Sequence, residues 1–280
     1  MDHRPWRQVN IAFPDWADAE NAAVAHIAPL LVAAETEGLL TAWFFVRKAP
    51  CWRVRYLTVG NASQTHAYLH HHLEALRHAG HIGDLTQVVY EPETHAFGGL
   101  EGMRVAHRLF HADSRNLLAY LADTRGSPGV DHRRELSILL CTLLLRAARL
   151  DWYEQGDVWA RVTDHRDLPD QVPEHRRRAL HSDLRRLMSV DPANLMREGA
   201  PLAFAAEWAQ AFTSTGQDLA ALASGGLLHR GLRAILTHHV IFIWNRFGLP
   251  ATLQAVLAAT AKAVVFGCDP TATPHAEEEP

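Results

Sequence analysis

Cysteine is scarce in this 280-residue chain: Cys51, Cys141 and Cys268 are the only three, and no two form a CxxC pair. That excludes a disulfide scaffold and a cysteine-rich zinc site, and it fits a reducing, cytoplasmic setting. Lysine is scarcer still, with Lys48 and Lys262 against 25 arginines. No apolar stretch approaches the roughly 18–20 residues that a membrane span needs. The opening MDHRPWRQVNIAF is charged and broken by Pro5, unlike a secretory signal. A net charge of −4 supplies no general field for nucleic acid. The phosphate-loop, dinucleotide, zinc-protease and nucleophile-elbow motifs are all missing. Histidines number 19, but no histidine-rich metal spacing recurs, so no metal is expected.

What is present changes character near residue 100. Residues 9–13 are a short apolar stretch after Trp6, readable as a strand. Asp15 or Asp18 can cap a helix over 20–37 that stops at Gly38. The aromatic segment 42–47, AWFFVR, is strand-like, and Pro50 interrupts it. Trp52, Val54 and Tyr56 alternate with Arg53 and Arg55, so the two arginines share one face of a strand. Asn61 or Ser63 can cap a second helix ending near Gly80, and 84–90 reads as a fourth strand. The order β-α-β-β-α-β is the split βαβ arrangement of ferredoxin-like folds. Helical segments follow at 100–123, 135–150, 151–167, 173–189, 201–223, 227–247 and 250–266. The expected fold class is α+β: a ferredoxin-like half, 1–99, packed on a mainly helical half, 100–268, within one domain. The acidic tail 269–280 is expected to be disordered.

Five polar segments admit both a chemical and a structural reading. The loop 90–99, YEPETHAFGG, places two carboxylates and a histidine between a strand and a helix. Arg53 and Arg55 suit an anion or carbonyl site, or a solvated sheet face. Segment 151–166 mixes two tryptophans, a tyrosine and six charged groups, as a substrate cleft or a helix pair broken at Gly156 would. His238 and His239 precede Trp244, Asn245 and Arg246 on a helix, where a histidine is an acid–base group or a core residue. Arg176, Arg177, Arg178, Arg185 and Arg186 form a basic helix face, for an acidic peptide or simply for water.

Taken in order, Trp43–Arg47 (WFFxR), Arg53-x-Arg55, Tyr90–Gly99, Phe110–Ser114 (FxxDS) and Asn245–Gly248 (NRxG) resemble the thiopeptide-type bacteriocin biosynthesis family. That family is related to the C-terminal elimination domain of class I lantibiotic dehydratases. The resemblance spans roughly residues 6–267 and implies work on a modified, ribosomally made precursor peptide. Eliminating members remove glutamate from glutamylated Ser or Thr. Pyridine synthases join two dehydroalanines by formal 4+2 cycloaddition, lose water and expel the leader peptide. Two departures separate these branches. The arginine that eliminating members carry in the Glu-x-x-Arg pattern is Ala96 here, and their histidine four residues before Asn-Arg is Ile241. Both losses disfavour elimination, which needs a base and cationic donors for the leaving carboxylate. The expectation is a thiopeptide macrocyclase. A glutamate-eliminating lyase and a non-catalytic leader-binding partner are the alternatives.

The resemblance also assigns candidate roles. Arg53 and Arg55 would polarise amide carbonyls. Glu93 or His95 would move a proton, with His239 a second candidate. Trp152, Trp159 and Trp244 would stack on azole rings. Asn245 and Arg246 match the terminal motif, with a structural role equally open. Arg177 and Arg185 would dock an acidic leader. No cofactor, metal, nucleic acid or membrane is expected; the partner is the modified precursor peptide, and a homodimer is left open.

Overall fold

The computed structural model describes residues 6–60, 62–125, 131–169 and 174–267. The chain divides into two compact units, Met1–Arg133 with Asn245–Gly248, and Arg134–Trp244 with Leu249–Pro280. The expected tail 269–280 and Cys268 lie outside the described residues.

The first unit contains β1 (Arg7–Ala12), α1 (Ala19–Ala22), a π-helical turn (Ala23–Ile27), α2 (Ala28–Thr36), β2 (Leu40–Lys48), β3 (Cys51–Thr58), α3 (Ala62–His78), β4 (Leu85–Val89) and α4 (Leu100–Thr124). The sheet order is β2-β3-β1-β4, with every pairing antiparallel. This is the ferredoxin-like order expected from the β-α-β-β-α-β succession. Pro50 falls in the short turn between β2 and β3, where it removes no ladder hydrogen bond. One sheet face buries Val9, Ile11, Trp43, Phe45, Trp52, Val54 and Tyr56, with Phe45 stacked on Trp52 at 4.5 Å. The opposite face carries Gln8, Asn10, Phe44, Val46, Arg53 and Arg55, matched across the strands by register.

Helix α4 closes the β2 edge, whose outward N–H groups would otherwise be an open template. The Trp43 N–H donates to His111 Nδ1 at 3.1 Å, and the Phe45 N–H donates to the Ser114 hydroxyl at 3.4 Å. The segment 245–248 is bound into the same unit. Arg246 donates through Nε to Asp113 Oδ2 at 2.6 Å, and both side chains are fully buried. Glu20 ion-pairs with Arg47 and Arg133, and Arg133 Nη1 also donates to the Phe247 carbonyl at 3.2 Å. Gly248 has φ +73°, and a Cβ there would stand 2.8 Å from Arg47 Nη1. Only glycine meets both conditions without strain.

The second unit is helical: α5 (Arg133–Ala147) from its second residue, α6 (Trp152–Thr163), α7 (Glu174–Ser189), α8 (Pro192–Met196), α9 (Ala206–Ser224), α10 (Leu232–Phe247) up to Trp244, and α11 (Ala251–Phe266). Helix α8 and a 3-10 turn at Ala203–Ala205 precede α9, so the helix expected over 201–223 starts later. Helix α9 stops where the Gly226 N–H donates to the Ala223 carbonyl and the Leu227 N–H to the Leu222 carbonyl, with Gly226 at φ +67°. That left-handed cap ends the helix and delays the start of α10 to Leu232, five residues after the expected 227. The segment expected at 151–166 as a cleft or helix pair is a single capped helix. The Asp151 side chain accepts from the Glu154 N–H at 2.8 Å, and Glu154 accepts from the Asp151 N–H at 3.1 Å, which completes a capping box. Gly156 lets α11 approach closely, since a Cβ there would meet Val265 at 2.5 Å.

Candidate active site

Arg55 is the centre of the polar sheet face. Its Nε donates to Gln8 Oε1 at 2.7 Å, and Gln8 in turn donates to Asn10 Oδ1 at 2.8 Å. The guanidinium lies 4.4 Å from the Tyr90 ring centroid and 5.3 Å from that of Phe44. Arg55 is only 4% exposed, yet its Nη1 is buried without an acceptor among the described residues. A buried donor left unpaired is costly, so a site that retains one is suited to an acceptor that arrives with the substrate.

Tyr90, the residue after β4, and His107, two turns into α4, complete the cluster. Tyr90 Oη and His107 Nε2 share a 2.9 Å hydrogen bond. The imidazole lies 4.6 Å from Trp6 and 5.7 Å from Phe44, and Phe110 packs at 5.2 Å from Phe44. Gly98 and Gly99, at φ +81° and +106°, turn the chain sharply after β4 and start α4. Burial, reinforced by the Arg55 charge, pushes His107 down to about 4, so it is neutral near pH 7. Burial raises the Tyr90 phenol and Glu93 raises it further, against an opposing pull from Arg55. Burial lowers Arg55 itself, while Tyr90 and Glu93 act the other way.

The expected site residues separate into groups. Arg53 is half-buried on the face of Arg55, and the charges of Arg53, Glu93 and Arg246 all act on Arg55. Glu93 and His95 are exposed in the turn before α4. Asn245 is half-buried, and Arg246 is the partner of Asp113, so its Nε holds the fold together. Trp159 and Trp244 are fully buried in the second unit and stack on each other at 5.7 Å. The expected azole-stacking role is therefore corrected for both: their faces are covered by the core. Trp244 also donates to the Ser137 hydroxyl at 3.2 Å. Trp152 is half-buried, His239 is fully buried in the second unit, and Arg185 is exposed on α7. The side chain of Arg177 lies outside the described residues. Gln8 and His107 were not singled out from the sequence. His107 sits in an ordinary amphipathic helix pattern, and only its tertiary neighbours mark it.

The described residues hold no group of three or more His, Cys, Asp or Glu able to bind a metal, and no helix among them is long and apolar enough to cross a membrane. The profile described as "Lantibiotic biosynthesis dehydratase C-term" matches residues 6–265. The chain belongs to that family, whose members are biosynthetic enzymes.

Several solved structures share the fold. The tRNA-dependent lantibiotic dehydratase MibB from Microbispora sp. 107891 superposes with a TM-score of 0.66 and 17% identity, over 95% of this chain. The chain spans 28% of the length of MibB. TsrL matches with a TM-score of 0.62 and 17% identity, and TbtD, the pyridine synthase from thiomuracin biosynthesis, with 0.61 and 14%. Each of these two matches covers 95% of this chain and 100% of the other. No curated protein matches by sequence.

Proposed function

We propose that this protein is a thiopeptide macrocyclase. It joins two dehydroalanines of an azole-containing precursor peptide into a pyridine, with loss of water and of the leader peptide as an amide. The observation that carries this reading is the buried Arg55 guanidinium with its unpartnered Nη1, set among aromatic rings. One dehydroalanine and its preceding amide must adopt the iminol form to act as a 2-azadiene. That change builds electron density on the amide oxygen, where a preorganised guanidinium donor is most useful. The same site must also bring two alkenes of a flexible peptide together, an entropic contribution of up to several kcal/mol. Support comes from Ala96 and Ile241 at the two positions where eliminating members carry Arg and His, and from the whole-length match to TbtD. Exposed Glu93 and His95 remain candidates for moving a proton at the site mouth, and Arg177 and Arg185 for docking the leader. His239 is kept as a proposed second proton carrier, and Trp152 as a stacking residue.

The test is direct. Incubated with a leader-bearing azole peptide containing two dehydroalanines, the protein alone yields a pyridine macrocycle and leader amide by mass spectrometry. An untouched authentic precursor would overturn the assignment. One observation favours the lyase reading instead: a neutral imidazole, His107, near a guanidinium could serve as base and anion holder. A glutamylated Ser peptide decides it. The expected result is no loss of glutamate, and Ala96→Arg alone does not create that activity.

A further inference from the structure

We propose that Tyr90 and His107 act as one proton relay in the tautomerisation that precedes ring formation, an inference that rests on the pyridine synthase reading. Tyr90 Oη and His107 Nε2 are 2.9 Å apart. Arg55 lies over the same phenol ring at 4.4 Å, so the guanidinium and the Tyr90–His107 pair belong to one cluster. His107 Nδ1, the other end of the imidazole, has no partner among the described residues. The ring itself is held by Trp6, Phe44 and Tyr90. One nitrogen is thus committed to the phenol and the other is free.

The proton inventory balances. The Tyr90 O–H proton passes to the substrate amide oxygen, whose C=O bond becomes single. The Tyr90 oxygen takes the proton of His107 Nε2. His107 Nδ1 takes, through a chain of water molecules, the proton lost by the amide nitrogen, as the C–N bond becomes double. The peptide leaves as the iminol, and the imidazole has only changed tautomer, which exchange with water restores. The surroundings disfavour both imidazolium and phenolate, since burial opposes each ion. A route in which each group gains one proton as it loses another forms neither.

A purely structural Tyr–His hydrogen bond makes a different forecast. The readout is cyclisation kinetics of the full chain on the leader-bearing bis-dehydroalanine peptide, with thermal unfolding of each variant as the folding control. Tyr90→Phe and His107→Gln should each lower kcat by about 100-fold or more, with KM changed less than about threefold. Glutamine can still donate one hydrogen bond to Tyr90 but cannot receive at one end and release at the other. The double variant should be no slower than the slower single one, because the two residues form one path. Added imidazole should restore part of the turnover of His107→Gly, and none when Tyr90→Phe is also present. Near-normal turnover in His107→Gln, or losses that multiply in the double variant, would overturn the relay while leaving the synthase reading intact. Failure of the wild-type protein to convert the peptide would overturn both.

Discussion

Asp113 and Arg246 illustrate how a motif residue with the appearance of a catalytic group can hold a fold. Both side chains are fully buried, and Arg246 also lies over the Phe110 ring at 4.6 Å. Removing one partner strands the other charge in a dry interior, a loss of about 3–5 kcal/mol. Urea unfolding of Asp113→Ala should show that loss, whereas Asp113→Leu with Arg246→Met should recover much of it. Arg55 carries the opposite forecast. Because its Nη1 awaits an acceptor, Arg55→Ala, and Arg53→Ala to a smaller degree, should slow turnover more than they weaken leader binding. If titration calorimetry shows lost leader affinity with full turnover at saturation, the site is misplaced.

Among the helices, Gly216 of α9 sets a close approach. A Cβ there would stand 2.5 Å from the Leu144 carbonyl oxygen of α5, which is backbone and cannot swing aside. Gly216→Ala should therefore destabilise by about 1–3 kcal/mol, read as a lower urea midpoint with an unchanged slope. Helix α7 invites a binding experiment. Its exposed Arg185 and Arg186 stand on a helix with a strongly basic sequence, and Arg186 pairs with half-exposed Asp183 at 3.2 Å. Arg177→Glu with Arg185→Glu should weaken binding of an isolated acidic leader, as added salt should for the wild type. Calorimetry giving equal affinity for variant and wild type would remove this surface from consideration.

Acid response belongs to the molecule as a whole. Burial lowers His26, His66, His107 and His238, the last two to about 4. For His107 and His238, between about 6.5 and 4 the unfolded chain binds the proton and the folded chain does not, so stability falls as pH falls through that window. His107 alone can contribute a slope of up to about 1.4 kcal/mol per pH unit, and half-exposed His238 adds less. Urea midpoints measured from pH 7 to 4 should decline, and less steeply in His107→Gln. The element order was legible because local signals agree: strand alternation at 52–56, helix stops at Gly38 and Gly80, and apolar helical runs after residue 100. Arg55 was legible too, since a period of two must place it on one face with Arg53. The chemistry of that face was not. Gln8 comes from β1, which pairs with β3, Tyr90 from the end of β4, which pairs with β1, and His107 from a helix laid along a sheet edge. Likewise Trp159 and Trp244, or Arg246, look the same in sequence whether buried or displayed. Which side chains meet, and which lose contact with water, depends on packing between distant segments, and only the tertiary structure decides that.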